Sequence, residues 1–273
     1  MKNNILKTKK IGFIGAGNMG GALIDGIVDA GLVNPECIIA YDKVLDKQDS
    51  FKKQGVKCAK DIDEVVNTSD IVILAVKPQD MEKVLDEASK SMGIKDKLFI
   101  SIAAGVRILG IEKKLIGAAV IRSMPNLPAS VKSGITAIAK GTNATDEDMK
   151  TAEAIFKSVG DVIVEEEEMI DTVTALSGSG PAYVFYFMEG MIEAGQKLGL
   201  SKENAAKLAL KTVEGAVNIL KESEETPESL RKKVTSPGGT TEAAIKHKEE
   251  NRFKEIFIEA IEKAKKRAEE LSK

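Results

Sequence analysis

The ten residues Ile11-Gly12-Phe13-Ile14-Gly15-Ala16-Gly17-Asn18-Met19-Gly20 constrain this chain more than any other segment. An apolar run of strand length ends in the spacing G-x-G-x-x-G. Residues 22–30 then put Leu23, Ile27 and Val28 on one face of a helix, which Gly31 closes. The glycine spacing alone is a weak signal, and the strand before it and the amphipathic helix after it are what give it meaning. In that setting Gly15 permits a tight turn, Gly17 lets the backbone approach a pyrophosphate, and Gly20 brings helix and strand together. Ala16, Asn18 and Met19 complete the loop, and unpaired N–H groups at the helix start favour an anion. The segment predicts a dinucleotide site at the head of a βαβ unit.

The alternation continues downstream. Residues 37–41, 71–76, 98–102 and 118–121 read as strands, with helical patterns at 63–67 and 79–91 between them. Strands alternating with helices imply right-handed crossovers and a parallel sheet covered on both faces. A further strand at 134–139, a helix from about Thr145 and the apolar residues 161–164 follow. The acidic run Glu165 to Glu168 reads as a solvated helix start, where negative charge suits the dipole. Beyond Met169 only helices are expected, at 181–198, 202–221 and 227–234, with a last one from Thr241 to the end. The fold class is therefore α/β: a doubly wound dinucleotide-binding sheet over residues 1–165, then an all-α domain over 166–273.

Several function classes drop out. Charged residues make up 30% of the chain with both signs interspersed, and the net charge is −2. There is no electrostatic case for nucleic acid or an anionic membrane as partner. The longest strongly apolar stretch, 71–76, is far short of the ~20 residues a bilayer needs, and no signal-peptide run follows the basic start. Cys37 and Cys58 lack metal-ligand spacing and suit a reducing compartment, and His247, the single histidine, sits in a charged helical stretch. No metal is expected, and the chain reads as soluble and cytoplasmic.

The residue that meets the adenosine ribose should lie at the end of the second strand, at Tyr41-Asp42-Lys43. A carboxylate at Asp42 accepts from ribose hydroxyls and repels a 2′-phosphate, so the charge argument favours NADH over NADPH, with Lys43 softening the repulsion. Three other segments carry more chemistry than folding needs. Arg122 to Pro128 looks like a rigid loop directly after a strand, where open α/β sheets place ligands. Ser177-Gly178-Ser179-Gly180-Pro181-Ala182 puts small residues before a proline suited to a helix's first turn. Ser236-Pro237-Gly238-Gly239-Thr240-Thr241 starts the last helix as a carboxylate-binding nest with two hydroxyls beside it.

With these residues in view, the chain resembles the pyrroline-5-carboxylate reductases over almost its whole length. The resemblance rests on Gly12 to Gly20, Ala75-Val76-Lys77-Pro78-Gln79, Ser101 to Gly105, Arg122 to Pro128, Ala175 to Tyr183 and Ser236 to Ala244. It implies hydride transfer from NAD(P)H to the C=N carbon of 1-pyrroline-5-carboxylate, giving L-proline. It also implies a Rossmann domain, a helical domain that interlocks with a second copy as a dimer, and further assembly to a decamer. The active site then lies between the Rossmann domain of one subunit and the helical domain of its partner. By that resemblance Ser236, Gly238, Gly239 and Thr240 hold the substrate carboxylate, and Thr241 stands near the ring nitrogen as hydrogen-bond partner or proton relay. Ala75, Val76, Lys77 and Pro78 line the cofactor, with Asn126 nearby.

Two rivals are weaker. A β-hydroxyacid dehydrogenase needs a lysine on the first long helix after the boundary, and none occurs between Lys157 and Lys197. A non-catalytic dinucleotide sensor leaves the nest at 236–241 without a purpose.

Overall fold

The computed structural model describes residues 5–44, 51–52 and 54–272. Eight strands form one sheet in the order β3-β2-β1-β4-β5-β6-β7-β8. They are β1 (Ile11–Ile14), β2 (Ile38–Tyr41), β3 (Lys57–Cys58), β4 (Ile71–Leu74), β5 (Leu98–Ser101), β6 (Ala119–Met124), β7 (Gly134–Lys140) and β8 (Gly160–Val164). The first helices are α1 (Asn18–Asp29), α2 (Ile62–Thr68), α3 (Pro78–Ala88), α4 (Ile108–Lys114) and α5 (Asp146–Lys157). Every residue of β1, β4 and β5 is buried, as strands covered on both faces must be.

Side chains alternate across the pleat and divide the core in two. Ile11, Phe13, Ile71, Ile73 and Ile100 face Leu23, Ile24 and Ile27 of α1 and Ile155 and Phe156 of α5. Ile14, Val72, Leu74 and Phe99 face Val65 and Val66 of α2, Val84 and Leu85 of α3, and Ile108 and Ile111 of α4. Each fully buried aliphatic or aromatic side chain contributes roughly 1.5–3 kcal/mol. Strand order reverses between β1 and β4, and the crevice at their carboxyl ends is where such sheets bind ligands.

Four features depart from the sequence reading. The sheet is not wholly parallel: β6 and β7 run antiparallel, because residues 125–133 are too few for a crossover. Residues 122–124 are not loop but the end of β6, where Arg122 pairs with Ala139. The short α4 and the two-residue edge strand β3 were unforeseen. Finally, α6 (Ile170–Val173), α7 (Gly180–Lys197), α8 (Lys202–Glu222) and α9 (Pro227–Lys233) are followed by two helices where one was expected, α10 (Thr240–Glu250) and α11 (Phe253–Leu271). Arg252 adopts a left-handed φ of 54° at the break, and the Asn251 side chain donates to the His247 carbonyl at 2.8 Å, ending α10.

By internal contacts the chain divides into two compact units, Met1–Ser179 with Ala264–Lys273, and Gly180–Lys263. In the second, α7 and α8 pack closely where Gly195 meets Ala205: a Cβ on Gly195 would lie 2.9 Å from that of Ala205. Tyr183 meets Phe257 edge-on. No described helix is long and apolar enough to cross a membrane.

Candidate active site

The glycine loop forms because the position directly after β1 leaves no room for a side chain. Gly15 has φ +90°, and a Cβ there would lie 2.6 Å from the Ala75 carbonyl oxygen at the end of β4. Its N–H donates to the Tyr41 carbonyl and the Ala75 N–H donates to that of Ile14, both at 2.8 Å, fixing the loop to the ends of three strands. Gly20 lies against Gly15, where a Cβ would stand 2.8 Å from the Gly15 oxygen. Gly17 is the N-cap of α1 and offers no capping side chain, and the helix's first turn carries no acid. Those uncapped N–H groups are what a pyrophosphate requires. A nicotinamide dinucleotide therefore fits the residues present.

A cleft of about 450 Å³ opens beside the loop, lined by Gly15, Gly17, Asp42, Ala75, Val76 and Lys77 among others. Ala16 and Asn18 line an adjoining cleft of about 410 Å³ with Phe51 and Ser130. Met19 packs against the core, and Pro78 starts α3, whose N-cap is Lys77. Asp42 is only 9% exposed. Its Oδ2 accepts from the Ala16 N–H at 2.8 Å and its Oδ1 from the Val44 N–H at 2.9 Å. The carboxylate thus holds the glycine loop as well as facing the cleft. Gln79, Asp80 and Lys83 of α3 also line it. The sequence reading passed over Asp80 and Lys83, although a lining role follows from their place just after β4.

Asn126 is bound at both ends of its amide. Its Oδ1 accepts from the Ile135 N–H at 3.0 Å, and its Nδ2 donates to the Ser177 carbonyl at 3.3 Å. That carbonyl needs a donor, because Pro181, four residues on, has no N–H. Thr174–Gly178 is a π turn, closed by the Ser179 N–H donating to the Thr174 carbonyl at 2.9 Å. Such turns frequently mark functional sites.

Behind this segment lies an ionic network that the sequence reading missed. Arg122, 1% exposed, donates to Asp171 Oδ1 at 2.7 Å, and its other terminal nitrogen lies 3.4 Å from Glu167 Oε1. Glu167 is not the solvated residue expected: the same oxygen accepts from the Ile108 N–H at 2.6 Å, at the start of α4. Ser272 donates to Asp171 Oδ1 at 3.0 Å, which ties in the end of the chain.

Ser236, Gly238, Gly239, Thr240 and Thr241 lie together in the second unit. Gly239 is the N-cap of α10, and its N–H donates to the Ser236 carbonyl at 3.0 Å. Gly238 has φ +70°, and its N–H donates to Glu242 Oε2 at 2.7 Å. The turn is shaped as a nest, with two of its N–H groups holding acceptors of the chain itself. Thr241 is half-buried in the first turn of α10. The described residues hold no cluster of metal-ligating side chains.

The chain as a whole is similar to known proteins. Residues 167–271 match the model for pyrroline-5-carboxylate reductase dimerisation, and residues 10–105 match that for NADP oxidoreductases that are coenzyme F420-dependent. Pyrroline-5-carboxylate reductase 2 of Bacillus subtilis is 42% identical over 269 residues, covering 96% of this chain and 95% of the relative. Among solved structures, a pyrroline-5-carboxylate reductase from Coxiella burnetii superimposes with a TM-score of 0.90 at 42% identity, covering 98% of this chain and 100% of the other. The Plasmodium falciparum pyrroline carboxylate reductase with NADP bound gives 0.89 at 32% identity, with the same coverage.

Proposed function

The chain belongs to the pyrroline-5-carboxylate reductase family, and from that premise we propose how its residues reduce 1-pyrroline-5-carboxylate to L-proline, the last step of proline biosynthesis. Bound NAD(P)H supplies the hydride for the C=N carbon. The loop Gly15 to Gly20, with Ala16, Asn18 and Met19 between the glycines, holds the pyrophosphate on the uncapped start of α1. Asp42 takes the adenosine ribose, and its charge inclines the site to NADH. Ala75, Val76, Lys77 and Pro78 border the dinucleotide at the end of β4, and Asn126 steadies the segment after β6.

The substrate is a small anion carrying a basic imine. Ser236, Gly238, Gly239 and Thr240 bind its carboxylate through the α10 nest, and Glu242 must release the Gly238 N–H for this to happen. Thr241 hydrogen-bonds the ring nitrogen. A threonine hydroxyl is a poor acid, so it relays a proton from water rather than supplying its own. Protonation makes an iminium that accepts hydride readily, and fixing both ends of so small a ring provides the alignment the transfer needs.

The chain is a homo-oligomer. Its helical part, residues 166–273, interlocks with that of a second copy, each active site combines one subunit's N-terminal domain with the partner's helices, and the dimers assemble to a decamer. The reaction runs in the cytoplasm, in keeping with a sequence whose two cysteines, Cys37 and Cys58, suit a reducing compartment. The reading rests on one conjunction: a glycine-cradled dinucleotide cleft and a carboxylate nest flanked by two threonines within one chain. Oxidation of NADH and NADPH, followed at the nicotinamide absorbance with pyrroline-5-carboxylate, tests it. Rapid turnover is expected. Folded protein that binds dinucleotide yet turns over no imine would overturn the substrate assignment.

A further inference from the structure

The cleft carries an ion pair, Lys43 with Asp80, beside the end of β2. Lys43 follows Asp42 directly at the end of β2, and its Nζ lies 3.1 Å from both carboxylate oxygens of Asp80. Asp80 stands in the first turn of α3, and Lys43, Asp80 and Asp42 all line the cleft. Asp42 is fixed by two backbone N–H groups and cannot turn away. The Lys43 side chain is 70% exposed and that of Asp80 37%, so the pair stands in contact with solvent.

The arrangement separates the two forms of adenosine ribose by charge. The end of the second strand is where the ribose is judged. A free 2′-hydroxyl meets acceptors there and no repulsion. A 2′-phosphate meets Asp42 and Asp80, while the adjacent cation is engaged by Asp80. We propose that Asp80 is a specificity-determining residue for the dinucleotide, holding Lys43 away from a 2′-phosphate and so setting the preference for the unphosphorylated ribose. This rests on the dinucleotide reading of the cleft. Exposed ion pairs are weak and salt-sensitive, so the effect is a modest bias rather than an absolute block.

The test is calorimetric binding of two probes, AMP and adenosine 2′,5′-bisphosphate, to the full chain. The variants are Asp80→Asn, Lys43→Gln and the two together. Asp80→Asn should raise bisphosphate affinity relative to AMP by roughly 3- to 10-fold, with the gain shrinking as salt rises. Lys43→Gln should remove that gain in the combined variant. An unchanged affinity ratio in Asp80→Asn overturns the proposal. So does a gain that survives Lys43→Gln, since Asp80 would then act through its own charge and not through the lysine. Failure of AMP to bind any of the four proteins would overturn the dinucleotide reading of the cleft and the proposal with it.

Discussion

Side chains proposed to bind ligand in this molecule also hold its fold together, as their hydrogen bonds show. Asp42 accepts from the Ala16 and Val44 N–H groups, which ties the proposed ribose residue to the glycine loop. Asp42→Ser removes both the loop anchor and the negative charge. It should weaken NADH binding about 10-fold, since hydrogen bonds to charged groups contribute ~1.5–3 kcal/mol, and shift the NADH/NADPH ratio toward NADPH. Fluorescence titration with each dinucleotide measures this, and an unmoved ratio would remove Asp42 from ribose selection. Thr241→Ala should lower kcat roughly 10-fold or more if the hydroxyl relays the proton. Steady-state kinetics with an unchanged kcat would end that role. Asp171 is the structural counterpart: at 3% exposure it faces Arg122 at 1%. Asp171→Asn takes the nearer of two carboxylates from a buried guanidinium, leaving Glu167 at 3.4 Å, and should cost about 3–5 kcal/mol in urea unfolding. A loss below ~1 kcal/mol would mean Glu167 suffices as counter-charge.

At the scale of elements, what could be read from the chain was whatever is local. The strands β1, β4 and β5 announce themselves as apolar runs, and the loop Gly15 to Gly20 by spacing and setting. The direction of β7 was not legible, because apolar strands look alike whichever way they pair, and only the length of 125–133 carries a hint. Nor was the burial of Arg122. Arginine at a strand end reads as loop until Asp171 and Glu167, far along the chain, are brought to it. The nest at 236–241 was legible as a helix start, whereas the hold of Glu242 on the Gly238 N–H depended on a rotamer. The short α9 shows an element secured by its flank. Glu225 accepts from Ser229 Oγ and Lys233 Nζ, each at 2.8 Å. The hydrogen bond from Lys233, then that from Ser229, holds its carboxyl below the usual carboxylate value. A lowered folded value means the contribution is present above the ordinary carboxylate range and fades as pH falls through the folded value. Carbon chemical shifts across Pro227–Lys233 should therefore report helix lost in acid, and Glu225→Gln should flatten that dependence. Equal acid loss in the variant would assign it to other groups.

At the scale of the whole molecule, the second unit cannot be stable as a lone body. Among the described residues of Gly180–Lys263 only Ala205 and Ala209 are buried, while Phe185, Tyr186, Leu198 and Phe257 stand 53%, 78%, 86% and 44% exposed. Helix stability in proteins comes mainly from packing an apolar face, so such a segment needs apolar cover from outside itself. The pattern on α8 says what kind. Leu210 and Val217 lie seven residues apart and share one side, whereas Leu208 and Ile219, eleven apart, share a side about 200° round the helix axis. All four are exposed, so cover is required on two opposite sides of one helix. A flat patch meeting its copy covers one side only, and a partner whose helices pass around α8 covers both. Such two-sided cover is what the proposed interlocked dimer would supply, and in it the folded helical part would depend on protein concentration. Light scattering should give a dimer or a multiple of it at micromolar concentration. Leu210→Glu with Val217→Glu should dissociate it and lower its thermal midpoint, because desolvating two carboxylates there costs more than the interface recovers. A wild-type chain that stayed monomeric and fully folded on dilution would refute the interlocked arrangement. A double variant that still formed the wild-type assembly would leave that side of α8 facing solvent and confine the partner to the side of Leu208 and Ile219.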